Sequence, residues 1–316
     1  MFRLCWHIRI GNYSVKTLKE LKITTSVLNL SDTAVIAMPG KYINKWKGVE
    51  DKIRVGDEVE VKLGYDDVIE TEFKGYLKRI SRDNNSLTLE CEDALYLMRK
   101  SVKDKEYKNV TLKSVLADMV RQIDPYITIT CDYDYKIAKL IVFHNTAMDV
   151  LNKIHEECKA NIYFEGKTLH IHPVYSERAD EKAALFDTSV NVQANELKWI
   201  DKADKKVLVE VSFNKPNGEV EKETYGTEGG EKITKRVSGL DAKSRRAAAE
   251  NEYNLWNYSG FEGNFTAWLI PRVKAGGSVV LRDQEKTDGK YYVTGVEVEF
   301  GQNGAKRKIS LGRKLR

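Results

Sequence analysis

"RVGDEVEVKLGYDDVIETEFKGYLKRISRDNNSLTLECEDALYLMRK", residues 54–100, decides the fold class. Val59, Val61 and Leu63 alternate with Glu58, Glu60 and Lys62, the period of a strand that buries one face. "TEFKGYLKRI" and "SLTLEC" continue as strands, parted by "SRDNNS", a run of turn formers. Gly56, Gly64 and Gly75 punctuate the pattern. Short, closely spaced strands of this kind build a sandwich or a small barrel, so residues 1–100 read as a first β region.

Beyond residue 100 the period changes. In "TLKSVLADMVRQI" the apolar positions Leu112, Val115, Leu116, Met119, Val120 and Ile123 fall on one helical face, with Thr111 placed to cap it. "TAMDVLNKIHEEC" predicts a second helix, where Thr146 and Asp149 have capping-box spacing. Its buried side is expected to hold Ala147, Leu151, Ile154, His155 and Cys158. Two short strands, "NIYF" and "TLHIH", follow around Glu165-Gly166, where glycine suits the positive φ of a tight turn. Residues 101–178 thus read as a helix-helix-hairpin module.

Residues 179–316 return to strands after "SERADEKA". "KKVLVEVSF" and "EVEKETYG" flank a turn at Pro216-Asn217-Gly218. "GTEGGEK" lacks the spacing of a phosphate loop and reads as a surface loop. One helix interrupts, "DAKSRRAAAENEYNLW", capped by Asp241 with Ala249, Tyr253 and Trp256 on one side. The last strands are "GNFTAWLI", "GGSVVLRD", "GKYYVTGVEVEF" and "AKRKISLG". In the closing hairpin, Asn303-Gly304 suits a type I′ turn, which sets Glu299 opposite Lys308, Val298 opposite Ile309 and Val296 opposite Leu311.

Composition narrows the function classes. The 316 residues are 41% hydrophobic and 31% charged, which favours packed cores over disorder. A net charge of +5, from 52 basic and 47 acidic residues, is not that of a dedicated nucleic-acid binder. No apolar run approaches the roughly 18 residues of a membrane span, and the first residues lack a secretory h-region. Cys5, Cys91, Cys131 and Cys158 are far apart, as expected of reduced thiols.

Chemistry-bearing residues are sparse in pattern. His170 and His172 alternate with Leu169 and Ile171, so both imidazoles share the polar face of a strand. Two ligands at i, i+2 make half a zinc site, but no motif supplies the rest, and a solvated strand is the preferred reading. His155 reads as a helix-face residue at the edge of a core. Glu156 with Glu165 is a carboxylate pair that a glycosidase reading would choose, yet 47 acidic residues make such a choice nearly free. The basic end, Lys306, Arg307, Lys308, Arg313, Lys314 and Arg316, reads as an exposed strand with a frayed tail. There is no GxSxG, HExxH or Rossmann fingerprint, so no catalytic residue, cofactor or metal is expected.

The order of the pieces resembles the baseplate hub proteins of contractile-tailed phages, the late control protein D family, related to the base of type VI secretion spike proteins. Three stretches carry it: residues 54–100; "NVTLKSVLADMV…FHNTAMDVLNKIHEECKANIYFEGKTLHIHP"; and "EGNFTAWLIPRVKAGGSVVLRD…GKYYVTGVEVEFGQNGAKRKISLGRKL". Gly64-Tyr65, Gly75-Tyr76, Cys91-Glu92-Asp93, Gly276-Gly277 and Tyr291-Tyr292-Val293 fall where that family has them; the loop 226–240 has no counterpart. The resemblance implies an α+β, mostly β chain, with two tube-type β-barrel domains (1–100 and 179–316) flanking the small module (101–178). It implies a structural, non-enzymatic virion component assembled in the host cytoplasm. Three copies would form a homotrimeric ring between the tail tube protein and a trimeric spike, with a tape-measure protein as a further partner. It implies neither a membrane nor specific nucleic-acid binding. A tail-associated cell-wall hydrolase is the alternative.

Overall fold

This computed structural model describes residues 3–39, 41–42, 45–46, 48–83, 85–176, 182–214, 219–237, 239–283 and 287–315. The turn expected at Pro216-Asn217-Gly218, most of "SERADEKA", and Arg316 lie outside them.

The chain begins with β1 (Leu4–Ile10), β2 (Tyr13–Ser14), β3 (Glu20–Ser26), β4 (Thr33–Pro39), β5 (Lys41–Tyr42), β6 (Lys45–Trp46), β7 (Glu58–Tyr65), β8 (Val68–Arg82) and β9 (Ser86–Glu92). Then come β10 (Lys105–Thr111), α1 (Leu112–Ile123), β11 (Thr128–Cys131), β12 (Lys136–Val142), α2 (Ala147–Cys158), β13 (Ala160–Glu165) and β14 (Thr168–Pro173). The third part holds β15 (Ala184–Asp187), β16 (Val192–Asn195), β17 (Lys198–Ile200), β18 (Val207–Asn214), β19 (Val220–Gly226), β20 (Glu231–Arg236) and α3 (Ala242–Trp256). The chain closes with β21 (Gly260–Glu262), β22 (Asn264–Trp268), β23 (Ser278–Arg282), β24 (Gly289–Gly301) and β25 (Gly304–Lys314). It is mostly β, as the alternation in residues 54–100 implies.

These elements gather into two compact units, which cut across the sequence boundaries at 100 and 178. The first comprises residues 1–96, 178–197 and 263–316, and the second 97–177 and 198–262. The β region at the end of the sequence is therefore divided. Its strands β17 to β21 group with the helical module, and β22 to β25 return to the N-terminal strands.

In the first unit the main ladder runs β16-β22-β25-β24-β3-β4-β9-β8-β7-β1-β2. The junction of the two ends of the sequence is β3 against β24, in register from Glu20↔Gly301 to Ser26↔Gly295. Alternation fixes which face is core. Ile8, Ile23, Ile36, Val61 and Leu89 are each at most 1% exposed, as are Phe186, Phe265, Tyr292 and Ile309. Each such side chain contributes roughly 1.5–3 kcal/mol by leaving water. Gly75 matters for a different reason: a Cβ there would stand 2.1 Å from the carbonyl oxygen of Glu92 on β9. Only glycine lets β8 approach that closely.

In the second unit all three helix caps expected from the sequence form. Thr111 Oγ1 accepts from Ser114 N at 3.2 Å, and Asp241 Oδ1 from Ser244 N at 2.8 Å. Thr146 and Asp149 exchange both capping-box bonds. α1 buries the face Leu112, Val115, Leu116, Met119 and Val120. α2 buries Met148 and Val150 beside Ala147, Leu151, Ile154 and Cys158, while His155 is only half-buried and bonds the Ala160 carbonyl at 2.7 Å. α3 departs from expectation, because its buried face is Ser244, Arg245, Ala248, Ala249 and Glu252, and Trp256 is 47% exposed. The polar members are buried because each finds a partner. Glu252 takes Lys235 at 3.0 Å and the Trp256 indole N–H at 3.0 Å, and Arg245 pairs with Glu221 at 2.7 Å. The loop that begins at Gly226 builds β20, which lies parallel to β18, with α3 packed against β18 and β19.

Candidate functional site

The long sheet of the first unit is the element to explain, and residues far apart along it meet at Glu72, which faces both Arg307 at 2.7 Å and Arg272 at 3.6 Å. Glu72 on β8 and Arg307 on β25 are five ladder steps apart in the strand order. A flat sheet would hold them roughly 24 Å apart at about 4.8 Å per strand. They meet instead, with Arg307 Nη2 donating to Glu72 Oε1 at 2.7 Å and Nη1 to Oε2 at 3.2 Å. The sheet curls so that two side chains of its covered face meet, and they are 1% and 6% exposed. The remaining donors of Arg307 go to backbone: Nε to Leu269 O at 3.0 Å and Nη1 to Val273 O at 3.3 Å. Full satisfaction of the guanidinium is what makes its burial tolerable.

A β-bulge aims Glu72 inward. Val61 faces Phe73 and Lys62 faces Thr71, so Glu72 is the extra residue on β8. Such an insertion turns two successive side chains to one face. On the other strand a signal is legible in the sequence: Ala305, Arg307, Ile309 and Leu311 are alternate residues, so Arg307 occupies an inward position.

Two sequence expectations are corrected here. The basic end is not a frayed tail, because β25 extends to Lys314 between β22 and β24, and its Arg307 is core. The closing hairpin turns at Gln302-Asn303, pairing Gly301 with Gly304, Glu299 with Lys306, Val298 with Arg307 and Val296 with Ile309. The expected register is displaced by two residues. Side-chain period in a strand is two, so a displacement of two keeps every residue on its correct face and the pattern does not distinguish the two registers. Gly304 does adopt positive φ, at +99°, as the residue that receives the strand after the turn.

His170 and His172 do share one face of β14, but they are not solvated. Their side chains are 17% and 15% exposed. His172 Nδ1 lies 2.5 Å from Asp132 Oδ2, and the Tyr163 ring stacks on His170 at 4.9 Å. Among the described residues no group of three or more His, Cys, Asp or Glu is arranged to hold a metal ion. Glu156 is exposed on α2 and Glu165 is exposed beside His170, so the carboxylate pair named from the sequence is not a buried dyad.

Acidic groups are buried elsewhere. Asp93, after β9, is held well above the usual carboxylate range, first by burial and then by neighbouring Asp32. Its oxygens accept from Leu95 N at 3.0 Å and Asp32 N at 3.3 Å. Adjacent Glu92 is neutralised by Lys78 at 3.2 Å and accepts from Ser31 Oγ at 2.9 Å. These contacts tie the 31–32 turn to the end of β9, a bracing role. In the second unit burial lowers the Lys235 pKa against the opposing pull of Glu252. No helix among the described residues is long and apolar enough to cross a membrane.

No protein-family model and no curated protein matches the sequence. Solved structures do match the fold. A tail protein from Neisseria meningitidis is similar with a TM-score of 0.67 at 16% identity, over 98% of this chain and 96% of that one. The 43 kDa tail protein of prophage MuSo2 from Shewanella oneidensis gives 0.64 at 16% identity, over 98% and 96%. An Escherichia coli component of the type VI secretion system, itself similar to bacteriophage T4 tail proteins gp27 and gp5, gives 0.61 at 8% identity, over 98% and 79%. From end to end, the chain has the fold shared by phage tail proteins and this type VI secretion component.

Proposed function

We propose that the protein is a structural baseplate hub of a phage-like contractile tail, of the late control protein D type. In this reading three copies form a homotrimeric ring that joins the tail tube to a trimeric spike. The protein is a virion component assembled in the host cytoplasm and has no catalytic role. The observation that carries the reading is the ladder between β3 and β24, which joins strands from opposite ends of the sequence into one continuous sheet. A tube wall needs such side-by-side strands. The likeness to tail structures across 98% of the chain supports the same reading. The polar interior is spent on structure: Glu72 is committed to Arg307, Glu92 to Lys78 and Glu252 to Lys235.

The test is co-expression with candidate spike and tube proteins, followed by mass measurement and electron microscopy. A complex holding three copies around an open channel is expected. A stable monomer that ignores both proteins and hydrolyses peptidoglycan would replace this reading with the hydrolase.

A further inference from the structure

The sheet β19-β18-β20 of the second unit ends, among the described residues, in two edges with no further strand beside them. Val209 and Val211 of β18 are fully buried, and the residues opposite them are Tyr225 and Glu223 on β19 and Ile233 and Lys235 on β20. These side chains lie on the α3 face, where Glu221 meets Arg245 and Lys235 meets Glu252. The open face carries Lys222 on β19, Glu210 on β18, and Lys232, Thr234 and Arg236 on β20. Glu210 takes Lys222 at 3.1 Å and Lys232 at 2.8 Å, which ties the three strands together on that face.

The two edges differ in charge. β20 sets Lys232, Lys235 and Arg236 against Glu231, whereas β19 sets Glu221 and Glu223 against Lys222. A strand edge is a template for another strand, and like charges directly opposed across a ladder are unfavourable. Two copies meeting β20 to β20 would bring three cations against three. Meeting β19 to β19 would bring two glutamates against two. A basic edge against an acidic one is the combination that charge permits.

We propose that β20 of one copy pairs antiparallel with β19 of a second copy, so that the sheet continues from chain to chain. β18 runs parallel to β20 and antiparallel to β19, so copies set side by side in one orientation present these edges antiparallel. Keeping α3 on one side of the continued sheet restricts the register to steps of two residues. One such register places Lys235 opposite Glu221 of the second copy, Thr234 opposite Lys222 and Lys232 opposite Thr224, with no like charges opposed. Sliding two residues one way opposes Arg236 to Lys222. Sliding the other way opposes Lys232 to Lys222 and Glu231 to Glu223. A contact between two different edges repeats from copy to copy and closes into a ring when the rotation permits. Closure at three copies rests on the hub reading, whereas the pairing itself rests on the two edges.

Six residues on an edge make a small interface, so the test traps the pairing covalently. Thr234→Cys and Lys222→Cys are placed in separate full-length chains, both at exposed positions, with a parent-like Tm as the check on folding. Directly opposed residues of an antiparallel ladder have Cα atoms roughly 4.5–5.5 Å apart, within disulfide range. Mixed and oxidised with diamide, the two variants should form a disulfide-linked dimer several-fold more than either variant alone or the parent, whose own four free cysteines set the background. No excess in the mixture would overturn the pairing, as would equal cross-linking of the Thr234→Cys variant with itself. A three-copy complex with spike and tube proteins that forms without this cross-link would sink the pairing and leave the hub reading standing. Cross-linked chains that ignore both proteins would do the reverse.

Discussion

Glu72 and Arg307 form a bidentate ion pair across the first unit although 235 residues separate them in sequence. Breaking a buried pair from one side leaves the other charge unmatched, at a cost of about 3–5 kcal/mol. Glu72→Ala and Arg307→Ala should each lower the unfolding free energy, measured by denaturant titration, by that order. The double variant Glu72→Leu, Arg307→Met should recover much of the loss, because apolar side chains need no desolvation of charge and Arg272, which also faces Glu72 at 3.6 Å, is 29% exposed and can turn to water. Equal losses in the single and double variants would mean that the hydrogen bonds to Leu269 and Val273, not the ion pair, hold the site.

Gly75→Ala should destabilise the first unit by about 1–3 kcal/mol, the ordinary cost of overpacking. The added methyl meets backbone, the Glu92 carbonyl oxygen at 2.1 Å, and backbone cannot step aside as a flexible side chain would. Thermal unfolding measures it, and an unchanged Tm would show that β8 and β9 have room to spread.

Gly304→Val should cost about 1–3 kcal/mol through backbone strain, since a β-branched residue resists the φ of +99° found there. Open space surrounds the site, so no clash competes with this explanation. A Tm equal to that of the parent protein would move the strain elsewhere in the turn.

Asp93 should imprint a pH dependence of defined sign. Its folded pKa is raised above the unfolded value of about 3.9, so the folded state holds that proton more tightly. Its contribution is fully present below the unfolded value and is lost as pH rises toward the folded one. Asp93→Asn should therefore be most favourable relative to the parent at neutral pH, with the difference shrinking toward pH of about 4. Carboxylates such as Glu106 and Asp118, lowered by lysine partners, act in the opposite sense and cancel in this comparison. A difference that does not change with pH would mean that Asp93 is ionised in both states.

His170 and His172 should bind no structural metal, since among the described residues no third ligand converges on them. Elemental analysis of the purified protein checks this. Stoichiometric zinc or nickel, lost in the His170→Ala, His172→Ala double variant, would contradict it.

Local rules were legible in the sequence by itself. Alternation in Val59, Val61 and Leu63 placed β7 and its buried face, and the 3.6-residue period with Thr111 and Thr146 placed α1, α2 and their caps. These features depend on neighbours within a turn or a strand, so a window of sequence contains their cause. What only the tertiary structure decided depends on residues that meet from far away. Hairpin register was lost by two positions because period two cannot distinguish even displacements. The bulge that turns Glu72 inward is set by pairing between β7 and β8, which composition does not encode. The strand pattern does not reveal that His170 and His172 are covered, because Tyr163 comes from β13 and Asp132 from the residue after β11. The union of β3 with β24, at opposite ends of the chain, follows from backbone groups on edge strands seeking partners, and those groups are the same in every residue.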